Sequence, residues 1–276
     1  QRVSMVSTDF RQGLGEYLSA AAATGDPRAK QSLGNDMFGQ GVFTTMVSSP
    51  YQFGYYRKEL LPELANGQPT ASYRSVPCQP ARSAEEIMVD EVAALLGVDP
   101  VEFRLGHVKD PRTRAVLAKA AELGEWGKSL PAGWAQGAAI HVEGRCHMGC
   151  VADLDASDPA QPIVRRVVMT VDVGLPVNPM GIETQMMGGI AEAVSLVFRA
   201  GLNFKDGLPV ESSFDDYRWV RMPEFPKDVT IHVFPANGNV IGGIGEVGMA
   251  APSGAFANAY ARATGIKPRS FPLLRG

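Results

Sequence analysis

The sequence predicts an α+β fold, and three observations predict it. Helix signals fill residues 83–124, the apolar pattern changes to a period of two from Ala135, and the two kinds of signal sit in separate blocks instead of alternating.

Along the chain, residues 1–50 mix a β-like stretch at 2–6 with an Ala-rich segment at 18–23, and the pattern does not close on itself. With the segment up to residue 72 they are expected to be the remainder of an upstream domain plus a connection. A helix is expected from Ser83, whose hydroxyl would form a capping box with Glu86, followed by Ile87, Val89, Val92, Ala93, Leu95 and Leu96 and a stop at Gly97. Asp99-Pro100 opens a second helix to His107 and Asp110-Pro111 a third to Gly124, each with an Asp cap and Pro at the first helical position. These make residues 73–134 a helical block, and the Gly- and Pro-bearing stretch 124–137 reads as a hinge into a sheet-and-helix portion over 135–276.

Strands are expected at 138–142, 149–154 and 163–172, with a turn at 155–159. Asn178-Pro179 caps a helix running to about Phe198 with Gly188 and Gly189 in its body. Each of those glycines costs about 1 kcal/mol against Ala unless close packing requires it. Lys205-Asp206-Gly207 predicts a hairpin turn, 228–234 a further strand, and the glycine-dense stretch 238–248 leads into an Ala-rich helix stopped by Gly265.

Composition sets the outer limits. In 276 residues, 45% are hydrophobic and 20% charged, enough apolar surface to offset chain ordering. The net charge of −3 supplies no basic field for a nucleic acid partner. No apolar run approaches the roughly 18 residues of a membrane helix. The start at Gln1-Arg2-Val3-Ser4, without Met or an apolar leader, reads as a processed chain or a fragment. Three cysteines, Cys78, Cys146 and Cys150, cannot build a disulfide scaffold and leave the redox compartment open.

Four patterns invite chemistry. Gly242-Gly243-Ile244-Gly245-Glu246-Val247-Gly248 sets one carboxylate in a bed of glycines ahead of a helix. Glu246 there is either a desolvated general base, its pKa raised, beside a backbone cradle, or an acid in water on a Gly-rich turn. Tyr73-Arg74-Ser75-Val76-Pro77-Cys78 is a stiff extended segment whose Arg74 either clamps an anion or pairs with a surface carboxylate. Cys146, His147 and Cys150, with His141 nearby, suggest a metal, but on a strand the two thiols share one face and His147 takes the other, so no metal site is expected. Asp90 and Glu91 read as a solvated helix face or as caps. Ser4, Ser7, Ser48 and Ser49 lie in no Gly-x-Ser-x-Gly elbow, so nucleophilic hydrolysis is unsupported.

Taken together these segments resemble the molybdopterin-binding subunit of the xanthine dehydrogenase/aldehyde oxidase superfamily, isoquinoline 1-oxidoreductase β-subunit type. The resemblance runs in family order over about 50–272: Arg74-Ser75-Val76; the helix to Gly97 with Asp99-Pro100-Val101-Glu102-Phe103-Arg104; Asp110-Pro111-Arg112; Val171-Asp172-Val173-Gly174 with Val177-Asn178-Pro179; Gln185 through Ile190; and Gly243 through Gly248 with the helix after Pro252. It implies the C-terminal portion of a molybdenum-hydroxylase large subunit, with mixed sheets and packed helices, completed by a partner chain.

The resemblance further implies that Glu246 is the base for hydroxylation of an aldehyde or N-heteroaromatic carbon with water as oxygen source. It implies that Arg74, Ser75 and Val76 wall the substrate side, and that Gln185, Gly188, Gly189, Gly243 and Gly245 cradle the pterin by close backbone approach. The cofactor would be molybdopterin cytosine dinucleotide, with iron–sulfur clusters on a separate subunit, since no cluster-spaced cysteines occur here. Family subunits are considerably longer, and Gly39-Gln40-Gly41-Val42-Phe43-Thr44 imitates an upstream pterin motif out of place, so a companion chain with the N-terminal half is expected. Pro77 and Cys78 replace the glycine and small polar residue usual at the substrate wall. Two other readings remain beside this one: a cofactor-free hydrolase on the split scaffold, and a non-catalytic structural subunit. Periplasm and cytoplasm are both compatible with the sequence.

Overall fold

The computed structural model describes residues 48–54, 73–75, 78–206 and 208–274. The stretches discussed at 2–6, 18–23 and 39–44, together with Val76, Pro77 and Gly207, lie outside the described residues.

Helices α1 (Cys78–Leu96), α2 (Pro100–His107) and α3 (Pro111–Leu123) precede strands β1 (Trp134–Glu143), β2 (Cys146–Asp155) and β3 (Ile163–Asp172). Helix α4 (Pro179–Phe198), the short pair β4 (Phe204–Lys205) and β5 (Leu208–Pro209), β6 (Asp228–Val233) and α5 (Ala250–Thr264) follow. The main sheet has the order β1-β2-β3-β6, with antiparallel pairing throughout except for the parallel β3–β6 pair. Helix α4 lies in the crossover that the parallel pair requires. The architecture is α+β, as the sequence predicts.

The caps at α2, α3 and α4 form locally. Asp99 accepts from the N–H groups of Val101 and Glu102, Asp110 from Thr113, and Asn178 from Gly181, each just before a Pro at the first helical turn. Helix α1 differs from its expected start. It begins five residues early, at Cys78, because the carbonyl of Ser75 takes the N–H groups of Cys78 and Gln79. Ser83 is therefore inside the helix, its hydroxyl donating to the Gln79 carbonyl, and Glu86 makes no capping box. Glu86 instead accepts from Tyr51 and from Arg104, which is fully buried.

Both sheet faces are covered. Cys146, Met148, Cys150 and Leu154 of β2 join Met169 and Val171 of β3 against α4 and α5, with Met186, Ile190, Phe198 and Phe256 in the same core. Ala138, Ile140 and Val151 face the other way, onto Leu117 and Ala120 of α3 and Val89 and Ala93 of α1. Cover on both faces explains why β2 is buried without a break from Cys146 to Leu154 although its sequence includes His147 and Asp153. Glycines allow the closest crossings: a Cβ on Gly137 would sit 1.9 Å from the Ala255 carbonyl oxygen of α5.

Asp90 corrects the reading of a solvated acid. It is buried, pairs with Arg104 at 2.9 Å and also binds Arg262 of α5, so the Glu86–Arg104–Asp90 cluster locks α1, α2 and α5 together. Glu91 is ion-paired with Arg269 at the surface. Among the described residues no helix is long and apolar enough to cross a membrane.

Candidate active site

Residues 74–75 and 245–246 meet although most of the chain separates them. The backbone N–H of Ser75 donates to Oε1 of Glu246 at 3.3 Å. Ser75 holds a left-handed backbone, φ 65°, and in that posture directs its N–H toward the glycine loop and its carbonyl toward the start of α1. A non-glycine residue there is strained by about 1–2 kcal/mol, which the contacts on both sides of it offset.

Arg74 spans three elements. Its Nε donates to the Gly245 carbonyl at 2.6 Å, Nη1 to Glu192 at 2.6 Å, and Nη2 to both the carbonyl and the side-chain oxygen of Gln185, at 3.2 and 2.9 Å. The guanidinium fork thus fixes the glycine loop against α4. Both readings of Arg74 in the sequence assumed one anionic partner; the structure gives it a carboxylate and three neutral acceptors at once. Glu192, absent from the sequence reading, also accepts from Tyr73. Its signal was available, since Gln185, Gly188 and Glu192 recur at helical spacing on one face of α4.

The glycines divide into two kinds. A Cβ on Gly189 would lie 2.5 Å from the backbone of Gly248, so this position lets α4 meet the glycine loop, and one on Gly188 would lie 3.4 Å from Arg74 Nη1. A Cβ on Gly243 or Gly245 meets nothing within 4 Å among the described residues, so the loop there presents bare backbone outward. Glu246 itself is half-buried, less withdrawn than the desolvated-base reading pictured. Two clefts, of about 190 and 400 Å³, lie elsewhere, and Arg74, Glu246 and the glycine loop line neither.

A second carboxylate, Asp172, is the acid of the Val171–Gly174 motif. Arg112 grips it through Nε at 2.8 Å and Nη2 at 2.7 Å, while the Gly174 N–H and Asn237 add further bonds. Burial alone would raise its pKa, but these donors together hold the carboxyl below the ordinary aspartate value. Its role is to anchor the turn after β3, where Gly174 (φ 78°) backs onto the Val240 carbonyl.

His141 is regrouped by the structure. It does not join Cys146, His147 and Cys150; its Nε2 bonds Glu143 at 2.9 Å, and Glu143 is bonded in turn by the Cys78 thiol. His147 bonds Thr113 on the opposite face of β2, while Cys146 and Cys150 are buried in the core against α4 and α5. Burial lowers the His141 pKa, so its ring is neutral, and burial with the nearby Glu143 charge raises that of the Cys78 thiol.

Residues 150–226 match the family model of the molybdopterin cofactor-binding domain. The chain is 32% identical over 206 residues to the β-subunit of isoquinoline 1-oxidoreductase from Brevundimonas diminuta, a match covering 72% of this chain and 26% of that one. It is 30% identical over 218 residues to a nicotinate dehydrogenase subunit of Pseudomonas putida, covering 72% and 18%. Quinoline 2-oxidoreductase from Pseudomonas putida 86 shares the fold, with a TM-score of 0.60 over 71% of this chain and 50% of that one at 14% identity. The chain thus spans about a quarter or less of the length of the curated relatives it matches.

The residues present suit a large, phosphate-bearing pterin. The outward backbone of Gly243 and Gly245 offers space that any side chain would fill. The Ser75 hydroxyl is buried beside it with no hydrogen-bond partner among the described residues, an acceptor and donor held ready for a ligand. Residues 150–226 thus match a molybdopterin cofactor-binding domain, and over most of its length the chain is similar to the isoquinoline 1-oxidoreductase β-subunit and the nicotinate dehydrogenase subunit.

Proposed function

We propose that this chain is the Glu246-bearing C-terminal portion of a molybdenum-dependent hydroxylase that oxidises an aldehyde or N-heteroaromatic carbon, with water as the oxygen source. One observation carries the reading: the Ser75–Glu246 contact, which joins two distant family motifs at an open glycine backbone. The names of the relatives, isoquinoline 1-oxidoreductase and nicotinate dehydrogenase, favour a nitrogen heterocycle.

Bound molybdopterin supplies the two-electron acceptor that this chain's side chains lack. The residues here would hold it through Gly243 and Gly245, the Ser75 hydroxyl, and the amide N–H groups of Gln185, whose carbonyl is already engaged by Arg74. Gly188 and Gly189 let α4 approach. Val76 belongs to the same proposed wall and lies outside the described residues. With the Ser75 N–H on Oε1, Glu246 keeps Oε2 to take a proton from the water whose oxygen joins the substrate carbon. The site opens to the outside of this chain, consistent with a companion chain supplying the upstream half. Iron–sulfur clusters on a further subunit would carry the electrons away, and the cytosine dinucleotide form is the expected cofactor. With three cysteines the chain cannot ligate a four-cysteine cluster itself.

The experiment is elemental and pterin analysis of the purified complex alongside turnover of isoquinoline, nicotinate and an aldehyde. Molybdenum bound in proportion to activity is the expected result; full activity in protein devoid of molybdenum overturns the reading.

A further inference from the structure

Cys78 opens α1, while His141 and Glu143, two residues apart on β1, share a face of that strand. A sulfur, an imidazole nitrogen and a carboxylate oxygen from these three residues all lie within 4.8 Å of one another. Cys78 and His141 are buried, and the Glu143 side chain is only 8% exposed. Thiolate, imidazole and carboxylate together suit Zn²⁺, whereas Mg²⁺ and Ca²⁺ take oxygen donors. In a tetrahedral zinc shell the donors stand about 3.3–3.7 Å apart. The cluster therefore needs contraction of at most about 1 Å or slightly more at its widest, and the His141–Glu143 pair at 2.9 Å has only to open slightly.

The hydrogen bonds of His141 and Cys78 converge on Glu143. Arg82 Nε donates to His141 Nδ1 at 3.4 Å, so the imidazole proton sits on Nε2 and is aimed at Glu143, which the Cys78 thiol also bonds. Two protons thus occupy the space between three potential ligands.

We propose that Cys78, His141 and Glu143 form a three-ligand Zn²⁺ site whose fourth position is taken by water. On loading, the thiol proton leaves to solvent and the imidazole proton moves from Nε2 to Nδ1. The long Arg82 contact gives way, and Arg82 keeps its bonds to Glu85 and to the Ser48 carbonyl. The ion would clip the start of α1 to β1. Because the Cys78 N–H bonds the Ser75 carbonyl, it would also stiffen the turn that holds Glu246.

The test is zinc content, measured with molybdenum content, in the whole complex after incubation with equimolar Zn²⁺ and desalting, and Co²⁺ substitution as a spectroscopic probe. The expected result is one zinc per chain, a near-ultraviolet thiolate-to-cobalt absorption, and loss of both in Cys78→Ser and in His141→Gln, with circular dichroism unchanged. Should a variant fail to fold, the cobalt spectrum of the unaltered chain decides alone. Wild-type protein that binds no zinc, or cobalt lacking the thiolate band, overturns the proposal. Zinc without molybdenum would sink the hydroxylase reading and leave this site standing; molybdenum without zinc does the reverse.

Discussion

The Ser75 N–H reaches Glu246 Oε1 at 3.3 Å across 171 residues of sequence. The donor is a backbone N–H, so it depends on the left-handed turn at position 75 and not on the Ser75 side chain, and either a carboxylate or an amide oxygen at position 246 can accept from it. Glu246→Gln is therefore expected to keep fold and molybdenum content while removing the proton acceptor, lowering kcat about 10²–10⁴-fold. Steady-state kinetics beside metal analysis checks this; turnover within about tenfold of wild type would remove Glu246 from the role.

Arg74→Lys tests the clamp. A single ammonium cannot reach the Gly245 carbonyl, Glu192 and Gln185 together, so at least two contacts are lost. Urea denaturation is expected to show a loss of roughly 1–3 kcal/mol, and the desalted protein is expected to retain less molybdenum.

Two glycine substitutions separate packing from ligand approach. Gly189→Ala forces a methyl against the Gly248 backbone and is expected to destabilise the chain by about 1–3 kcal/mol. Gly243→Ala meets nothing within 4 Å among the described residues, so its unfolding midpoint is expected to stay put while cofactor retention falls. Equal stability losses in the two variants would contradict the assignment.

Arg104→Met leaves Glu86 in the core with the Tyr51 hydroxyl but no cation, and Asp90 with Arg262 alone. The expected cost is about 3–5 kcal/mol, the range for breaking a buried ion pair from one side, because Arg104 is fully buried. Calorimetry of wild type and variant measures it.

Asp172 predicts an acid limit. Its folded pKa lies below the unfolded value of about 3.9, so its stabilisation is complete above that value and is lost as pH falls through the folded pKa. The melting temperature is expected to fall on acidification below about pH 4, and Asp172→Asn to be less stable at neutral pH and less sensitive in that window.

What could be read in advance depended on range. The Asp99, Asp110 and Asn178 caps and the three long strands were legible because each is decided within a few residues. The start of α1 was not, because the Ser75 turn terminates it from outside, while Ser83 and Glu86 spend their polar atoms on the helix interior and on Arg104. Asp90 looked solvated for the same reason: its partners stand 14 and 172 positions away. In the site, Arg74 and Glu246 were found through motif order, which carries no geometry, so the shared hold on Gly245 and Glu192 was invisible. His141 and Glu143 share a strand face by simple alternation, but Cys78 joins them only through tertiary packing.

Helix α5 is buried without interruption from Ala250 to Tyr260, and Asn258 binds the carbonyls of both Glu86 and Ala138. Until residues 250–264 have left the ribosome, the sheet face that packs on α5 stays uncovered, and the Glu86 and Ala138 carbonyls lack the Asn258 amide. A nascent chain stalled upstream of residue 250 would therefore carry one apolar sheet face open to water, and this half of the core closes only once synthesis has passed that helix.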